Sequence, residues 1–170
     1  VTNTNLKYIR ANDTDGATWN TSLSFDGNGN VGQYTVQVIA NGNPAVAYYD
    51  VTNQDLKFVR ANDPQGLTWG TPILIDAVGN VGQYLYMIIV NGNPAISYYD
   101  ATNTSLKYVR ATDASGTIWA APVNIDISGT TGQFTNLAVV DGNPAITYYD
   151  GTDTSLKFVR AVDANGLGWG

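Results

Sequence analysis

Short runs of apolar and β-branched residues alternate with polar turn residues along the whole chain. Val, Ile, Thr and Tyr dominate these runs, and such residues favour strands. The polar segments between them are rich in Asn, Asp and Gly, which favour turns. In one representative stretch the predicted strands are Leu56–Ala61, Pro72–Asp76, Tyr84–Val90 and Pro94–Asp100.

A tight hairpin is predicted between the last two of these runs. Asn91-Gly92 separates them, followed by Asn93 and Pro94. Asn-Gly between two apolar runs predicts a type I′ turn, because both of its central residues need positive φ. Pro94 follows at the start of a strand, where its missing N–H does least harm. The local pattern therefore predicts an antiparallel pair.

The whole pattern recurs at a spacing of about 50 residues. NGNPAVAYYD at 41–50 returns as NGNPAISYYD at 91–100 and DGNPAITYYD at 141–150. Four short strands in series at this spacing are typical of a β-propeller blade, so the fold class predicted is all-β, with four-stranded antiparallel blades. The single array 1–170 divides into a partial blade 1–30, blades 31–80 and 81–130, and a partial blade 131–170.

Propellers close with four to eight blades, and the chain holds fewer. Two interpretations remain open: the chain is a segment of a longer repeat protein, or several copies share blades. A shared strand would make a head-to-tail contact that closes into a ring or continues as a filament. The expected partners are accordingly copies of the chain itself or further blades.

Composition excludes several classes of function. All fourteen acidic residues are Asp, the net charge is −6, and the chain has neither Cys nor His. Nucleic acid is excluded as a partner because phosphate binding needs clustered Lys and Arg. Without His, Cys or Glu the chain lacks the commonest catalytic bases and nucleophiles, and we expect no enzyme and no catalytic residue. No apolar stretch is long enough to span a membrane as a helix.

Each unit also carries an Asp, a Gly and a Trp at fixed spacing, in the connection between its third and fourth strands. This motif resembles a degenerate Asp-box, the bacterial neuraminidase repeat of sialidase-like propellers, with two residues between Asp and Gly where the usual motif has one. We expect Asp to accept backbone N–H bonds, Gly to take positive φ and Trp to pack between blades. The residues are Asp13, Gly16, Trp19, Asp63, Gly66, Trp69, Asp113, Gly116, Trp119, Asp163, Gly166 and Trp169.

The resemblance extends to repeats of bacterial secreted propellers and implies an extracellular or cell-surface location. Sialidases bind a carboxylate with arginines that converge from different blades. Here one arginine recurs at the same strand position of every unit, so the four cannot converge, and the family's Tyr/Glu nucleophile pair has no counterpart. We expect each arginine, such as Arg60, to form an ion pair with Asp50, Asp100 or Asp150 instead.

Polar loops at the opposite ends of the strands are the candidate ligand sites. Their carboxylates and amides could bond sugar hydroxyls or hold calcium, the one cofactor considered, although each Asp could also cap its own turn. The paired tyrosines before each Asp could stack on sugars, but strand alternation predicts that both pack between blades. The ligand candidates are Gln33, Asp50, Asn53, Gln83, Asp100, Asn103, Gln133, Asp150 and Asp153.

Three functions fit these features. The first is a non-catalytic extracellular module for multivalent binding or adhesion, with glycan, or else a protein, as ligand, because repeated weak sites add avidity. The second is a structural protein that forms a filament or surface layer through shared blades. The third is a fragment of a sialidase-like glycoside hydrolase, whose acid pair would have to come from several blades.

Overall fold

A computed structural model describes residues 4–170, and these fold into antiparallel strands without a helix. Residues 1–3, at the start of the segment 1–30 predicted to be a partial blade, lie outside the described residues. The all-β fold class is confirmed. The strands are β1 (Leu6–Tyr8), β2 (Leu23–Asp26), β3 (Val31–Ala40), β4 (Asn43–Asp50), β5 (Asp55–Arg60), β6 (Ile73–Asp76), β7 (Val81–Val90), β8 (Asn93–Asp100), β9 (Ser105–Arg110), β10 (Val123–Asp126), β11 (Thr131–Val140), β12 (Asn143–Asp150) and β13 (Ser155–Arg160).

Neighbours in sequence are neighbours in each sheet. The first sheet pairs β1 with β2, the second has the order β3-β4-β5-β6, the third β7-β8-β9-β10, and the last β11-β12-β13. All pairings are antiparallel. Short connections make this order the natural outcome, because consecutive antiparallel strands need only a hairpin turn.

The predicted hairpin turns are present. Asn91 and Gly92 both have positive φ, at 45° and 80°, and Val90 pairs with Asn93 across the two-residue turn. The turns at 41–42 and 141–142 have the same left-handed backbone. Local turn chemistry therefore sets the register of the long strand pairs.

The first strand of the third sheet begins earlier than the sequence predicted, at Val81 rather than Tyr84. A bulge lies in this added segment, where Gln83 pairs with Tyr99 between two register shifts. Gly82 has φ +99° and lies so close to the previous sheet that a Cβ built on it would be 2.9 Å from Leu56 Cβ. The strand continues through the bulge because Gly82 accepts both the backbone angle and the close approach.

The core lies between successive sheets. One cluster joins Leu56 and Phe58 of β5 to Met87 and Ile96 of the third sheet. Similar clusters join the first sheet to the second and the third to the last. Each sheet thus buries its apolar side chains against the next sheet along the chain, as layers of strands must.

The predicted arginine–aspartate ion pair is wrong. Arg60 Nε donates to Ala40 O at 2.7 Å and Arg60 Nη2 to Asn41 O at 2.7 Å. Its partner in the ladder is Ala45, roughly 16 Å along β4 from Asp50 at the usual rise per residue. The cation that reaches Asp50 is Lys57, with Nζ 2.6 Å from Oδ2.

Candidate functional site

The loop aspartates proposed as ligand residues are used inside the protein. Asp50 is fully buried. Its Oδ1 accepts the backbone N–H of Asn53 at 3.0 Å, and its Oδ2 accepts the side-chain amide of Asn53 at 2.9 Å as well as the ammonium of Lys57. Burial raises the pKa of Asp50, but the bonds from Lys57 and Asn53 outweigh it and the pKa is lowered.

The two equivalent loops repeat this arrangement. Asp100 accepts two hydrogen bonds from Asn103, both at 2.9 Å. Asp150 accepts the backbone N–H of Asp153 at 3.1 Å and pairs with Lys157 at 2.6 Å. Within residues 4–170, no three His, Cys, Asp or Glu side chains gather in a group that could hold a metal ion. These carboxylates close turns and pair with lysines that are partly or fully buried, and their oxygens are occupied.

Sequence reasoning missed a second set of buried acids at the ends of the fourth strands. Tyr98 OH donates to Asp76 Oδ2 at 2.7 Å, and Lys107 Nζ lies 2.6 Å from the same oxygen. Asp26 and Asp126 accept the equivalent tyrosine hydroxyls of the following sheets. The available signal was the Asp that ends each of the segments LSFD, ILID and VNID.

Each Asp-box-like loop is closed by its own Asp and Trp. Asp63 accepts the backbone N–H groups of Gln65, Leu67 and Thr68 at 2.8–3.0 Å. Trp69 Nε1 donates to Gly66 O at 3.0 Å. The Leu67 N–H and the other donors lower the pKa of Asp63 to about 2. Asp13, Asp113 and Asp163 hold their loops in the same way.

The tryptophans of these loops contact the previous sheet. Trp69 stacks on Phe25 with ring centroids 4.2 Å apart, and Trp119 meets the ring of Phe58 edge-on at 5.1 Å. Trp169 meets Tyr108 in the same geometry. Trp19, which has no previous sheet among the described residues, is 56% exposed.

An aromatic row runs across the first strands of three sheets. It consists of Tyr34, Tyr84 and Phe134, with centroid separations of 4.9 Å and 4.5 Å. Tyr34 is 38% exposed and Phe134 64% exposed. Each ring of the row also has a tyrosine of the adjacent second strand nearby, with centroid separations of 6.1–6.4 Å, namely Tyr49, Tyr99 and Tyr149. The row therefore presents partly exposed rings backed by further rings.

The backbone of the aromatic row is in a conformation that bulky residues rarely adopt. Tyr34, Tyr84 and Phe134 have φ values of 52°, 51° and 52°. A left-handed backbone costs a residue with a Cβ roughly 1–2 kcal/mol. Such outliers cluster at functional sites, where the surrounding structure maintains them. The strained angle recurs in three sheets together with partly exposed, neighbouring aromatic rings, and this combination makes the row the candidate site.

Amide side chains border the row. Gln83 Nε2 donates to Asn80 Oδ1 at 3.0 Å, and Tyr49 OH from the previous sheet donates to the same oxygen at 2.8 Å. Gln33 is exposed and Gln133 half-buried at the equivalent positions. Each candidate glutamine thus directly precedes a ring of the row in sequence, and Gln83 shares the Asn80 oxygen with the Tyr49 hydroxyl.

No family model matches the chain. A search of curated proteins finds no match either. The candidate site is therefore defined by its geometry alone. Among residues 4–170 no helix is long and apolar enough to cross a membrane.

The aspartates of the Asp-box-like loops predict that the fold is sensitive to acid. They are Asp13, Asp63, Asp113 and Asp163. Their pKa values are lowered in the folded chain, as for Asp63, so the stability they contribute is present above the unfolded value of 3.8 and is lost as pH falls toward 2. We expect the melting temperature, followed by circular dichroism, to be nearly constant from neutral pH to about pH 5 and to drop steeply below about pH 4. The Asp63→Asn variant should show a shallower drop, and an equal slope would contradict this origin.

Proposed function

We propose that the chain is a non-catalytic, extracellular module of the β-propeller type that binds glycans through the aromatic row. Each four-stranded sheet corresponds to one blade in this proposal. Its first strand, which carries the row, would be the inner strand of the blade. The observation that carries the proposal is the row itself: Tyr34, Tyr84 and Phe134, partly exposed and held at positive φ.

Sugar recognition matches the chemistry of this surface. Aromatic faces cover the apolar face of a sugar ring, while neighbouring polar groups bond its hydroxyls. Gln33, Gln83 and Gln133 supply such groups next to the rings, and an amide offers both a donor and an acceptor. Nothing in the hydrogen bonding of Gln83 and Asn80 involves a charge, which favours a neutral ligand.

Repetition favours a polymeric or multivalent glycan. The rings of neighbouring sheets lie within 5 Å of one another, so an extended ligand can contact more than one of them. Several weak contacts on one scaffold combine into useful avidity. This makes adhesion to a surface that displays many sugars the expected role.

Removing the central ring tests the proposal. A glycan array should first identify the ligands of the native chain. Tyr84→Ala should then weaken binding to them by roughly tenfold or more, because one buried aromatic contact contributes on the order of 1–2 kcal/mol. Isothermal titration calorimetry measures the change.

Trp19→Ala is the matched control, since Trp19 is an exposed aromatic residue outside the row. It should leave the affinity unchanged. An array without signal, or equal affinities for the Tyr84→Ala variant and the native chain, would refute glycan binding at the row.

A further inference from the structure

β13 carries a Leu and an aromatic residue that are exposed, although the equivalent side chains of the second and third sheets are buried. Leu56 and Phe58 of β5 are fully buried, and Leu106 and Tyr108 of β9 nearly so. The equivalent side chains of β13 are Leu156, which is 80% exposed, and Phe158, which is 59% exposed. β13 pairs with β12 on one edge, and no strand among residues 4–170 pairs with its other edge.

The internal sheets show what covers this pattern. In the third sheet, a Cβ built on Gly82 would lie 2.9 Å from Leu56 Cβ, and one built on Gly116 would lie 2.7 Å from the Phe58 ring. Trp119 packs against the same ring. The third strand of a sheet is thus covered by two parts of the following sheet, its first strand and its Asp-box-like loop.

The second sheet offers the same cover, and β1 occupies it. Gly32 faces Leu6, and Gly66 faces the ring of Tyr8, which also contacts Trp69. β1 is only three residues long and pairs with β2 alone. β1, with the sequence LKY, therefore occupies the position beside β2 that β13, with the matching sequence LKF, could also occupy.

We propose that β13 of one copy of this chain takes the place of β1 in a second copy and pairs with the β2 of that copy. The product is a four-stranded sheet in the order β11-β12-β13-β2, the arrangement already present in the second and third sheets. Leu156 would meet Gly32 of the second copy, and Phe158 would meet its Gly66 and Trp69. The interface continues one that the chain forms twice within itself.

The exchange gains more burial than it loses. It covers Leu156 and Phe158 but uncovers Leu6 and Tyr8, so these four side chains leave the buried apolar area about unchanged. The gain comes from β11, where Val140 is 41% exposed although the equivalent Val90 is 1% exposed. Trp19, at the end of the released segment, is already 56% exposed, so its release uncovers little further apolar surface. The ladder to β2 keeps its three pairs, as between β9 and β10, but β2 then joins a four-stranded sheet instead of a two-stranded one.

A backbone hydrogen bond between sheets is also preserved. Val81 N donates to Gln54 O at 2.9 Å, and Thr131 N donates to Thr104 O at 2.9 Å. Gln54 and Thr104 have positive φ, and Thr154 has the same backbone with φ 52°. The carbonyl of Thr154 would accept Val31 N of the second copy, which Thr4 O accepts within one chain.

The junction is head-to-tail, so it closes into a ring or extends into a filament. It would also bring Phe134 of one copy next to Tyr34 of the other and lengthen the aromatic row. That consequence rests on the proposed glycan-binding function, whereas the junction itself does not. A single-copy chain that binds glycan would refute the junction alone.

Sedimentation velocity of the 170-residue chain over a wide concentration range tests the junction. We expect species whose mass is a multiple of 18.2 kDa. Phe158→Asp should weaken association roughly tenfold or more, because it places a charge where an aromatic ring would be buried. Its melting temperature as a monomer should not change, since Phe158 is exposed in the single chain.

Ile118→Asp is the matched control, because Ile118 is 64% exposed and lies outside the proposed interface. It should associate like the native chain. Tyr8→Asp should have the opposite effect to Phe158→Asp and tighten association several-fold, because β1 and β13 compete for one place. A single 18.2 kDa species at every concentration, or weaker association of Tyr8→Asp, would overturn the proposal.

Discussion

Replacing Lys107 with Met is expected to lower the free energy of unfolding by about 3–5 kcal/mol, the usual cost of removing one partner of a buried ion pair. Lys107 Nζ lies 2.6 Å from Asp76 Oδ2 and 3.7 Å from Asp100 Oδ2. Both carboxylates are buried. Without the ammonium, their negative charges would remain in the interior with only neutral hydrogen-bond donors. Urea denaturation followed by fluorescence measures the loss.

Lys7 provides the matched control for this substitution. It occupies the equivalent position in β1 but is exposed. Lys7→Met should therefore change the free energy of unfolding by less than about 0.5 kcal/mol. Adding Asp76→Asn to Lys107→Met should recover part of the lost stability, since it removes one of the two uncompensated charges. Equal losses for Lys7→Met and Lys107→Met would contradict the buried network.

Replacing Gly132 with Ala is expected to cost about 3–5 kcal/mol, from backbone strain and overpacking together. A Cβ at this position would lie 2.6 Å from Leu106 Cα and 2.9 Å from Leu106 N. These are backbone atoms within β9, so they cannot move aside as a flexible side chain could. The φ of Gly132 is also +99°, which disfavours any residue with a Cβ.

Gly142 separates the two contributions. Its φ is +78°, but a Cβ there would meet nothing within 4 Å. Gly142→Ala should cost only about 1–2 kcal/mol, from the backbone angle alone. Thermal or urea unfolding of the two variants gives the comparison. If Gly132→Ala costs no more than Gly142→Ala, the close approach between the third and last sheets is not as described.

Features set by neighbours in sequence were predictable. The hairpin turns follow from Asn-Gly and Asp-Gly, whose backbone angles are intrinsic to those residues. The all-β fold follows from alternating strand-forming residues and turn residues. Most strand ends agree to within a residue or two, because turns delimit them. The exception is the bulge at the start of β3, β7 and β11, where the strand continues through Gly82 and its close approach to the previous sheet.

Features set by neighbours in space were not predictable in the same way. Arg60 and Lys57 are three residues apart in β5, and charge alone allowed either to pair with Asp50. The strand register determines that Lys57 pairs with Asp50, because it places Arg60 near the far end of β4. The partners of Tyr48 and Tyr98 lie in the preceding sheet, which no local pattern indicates. The aromatic row likewise assembles from three separate sheets.

One segment separates the two kinds of information most clearly. LKFVR occurs in both β5 and β13, and its sequence alone determined that it forms a strand in each. In β5 its Leu and Phe are fully buried, whereas in β13 the same side chains are largely exposed. Strand formation depends on local propensity, but burial depends on which sheet packs alongside. Only the tertiary structure decided which copies of the repeated pattern form core and which form surface.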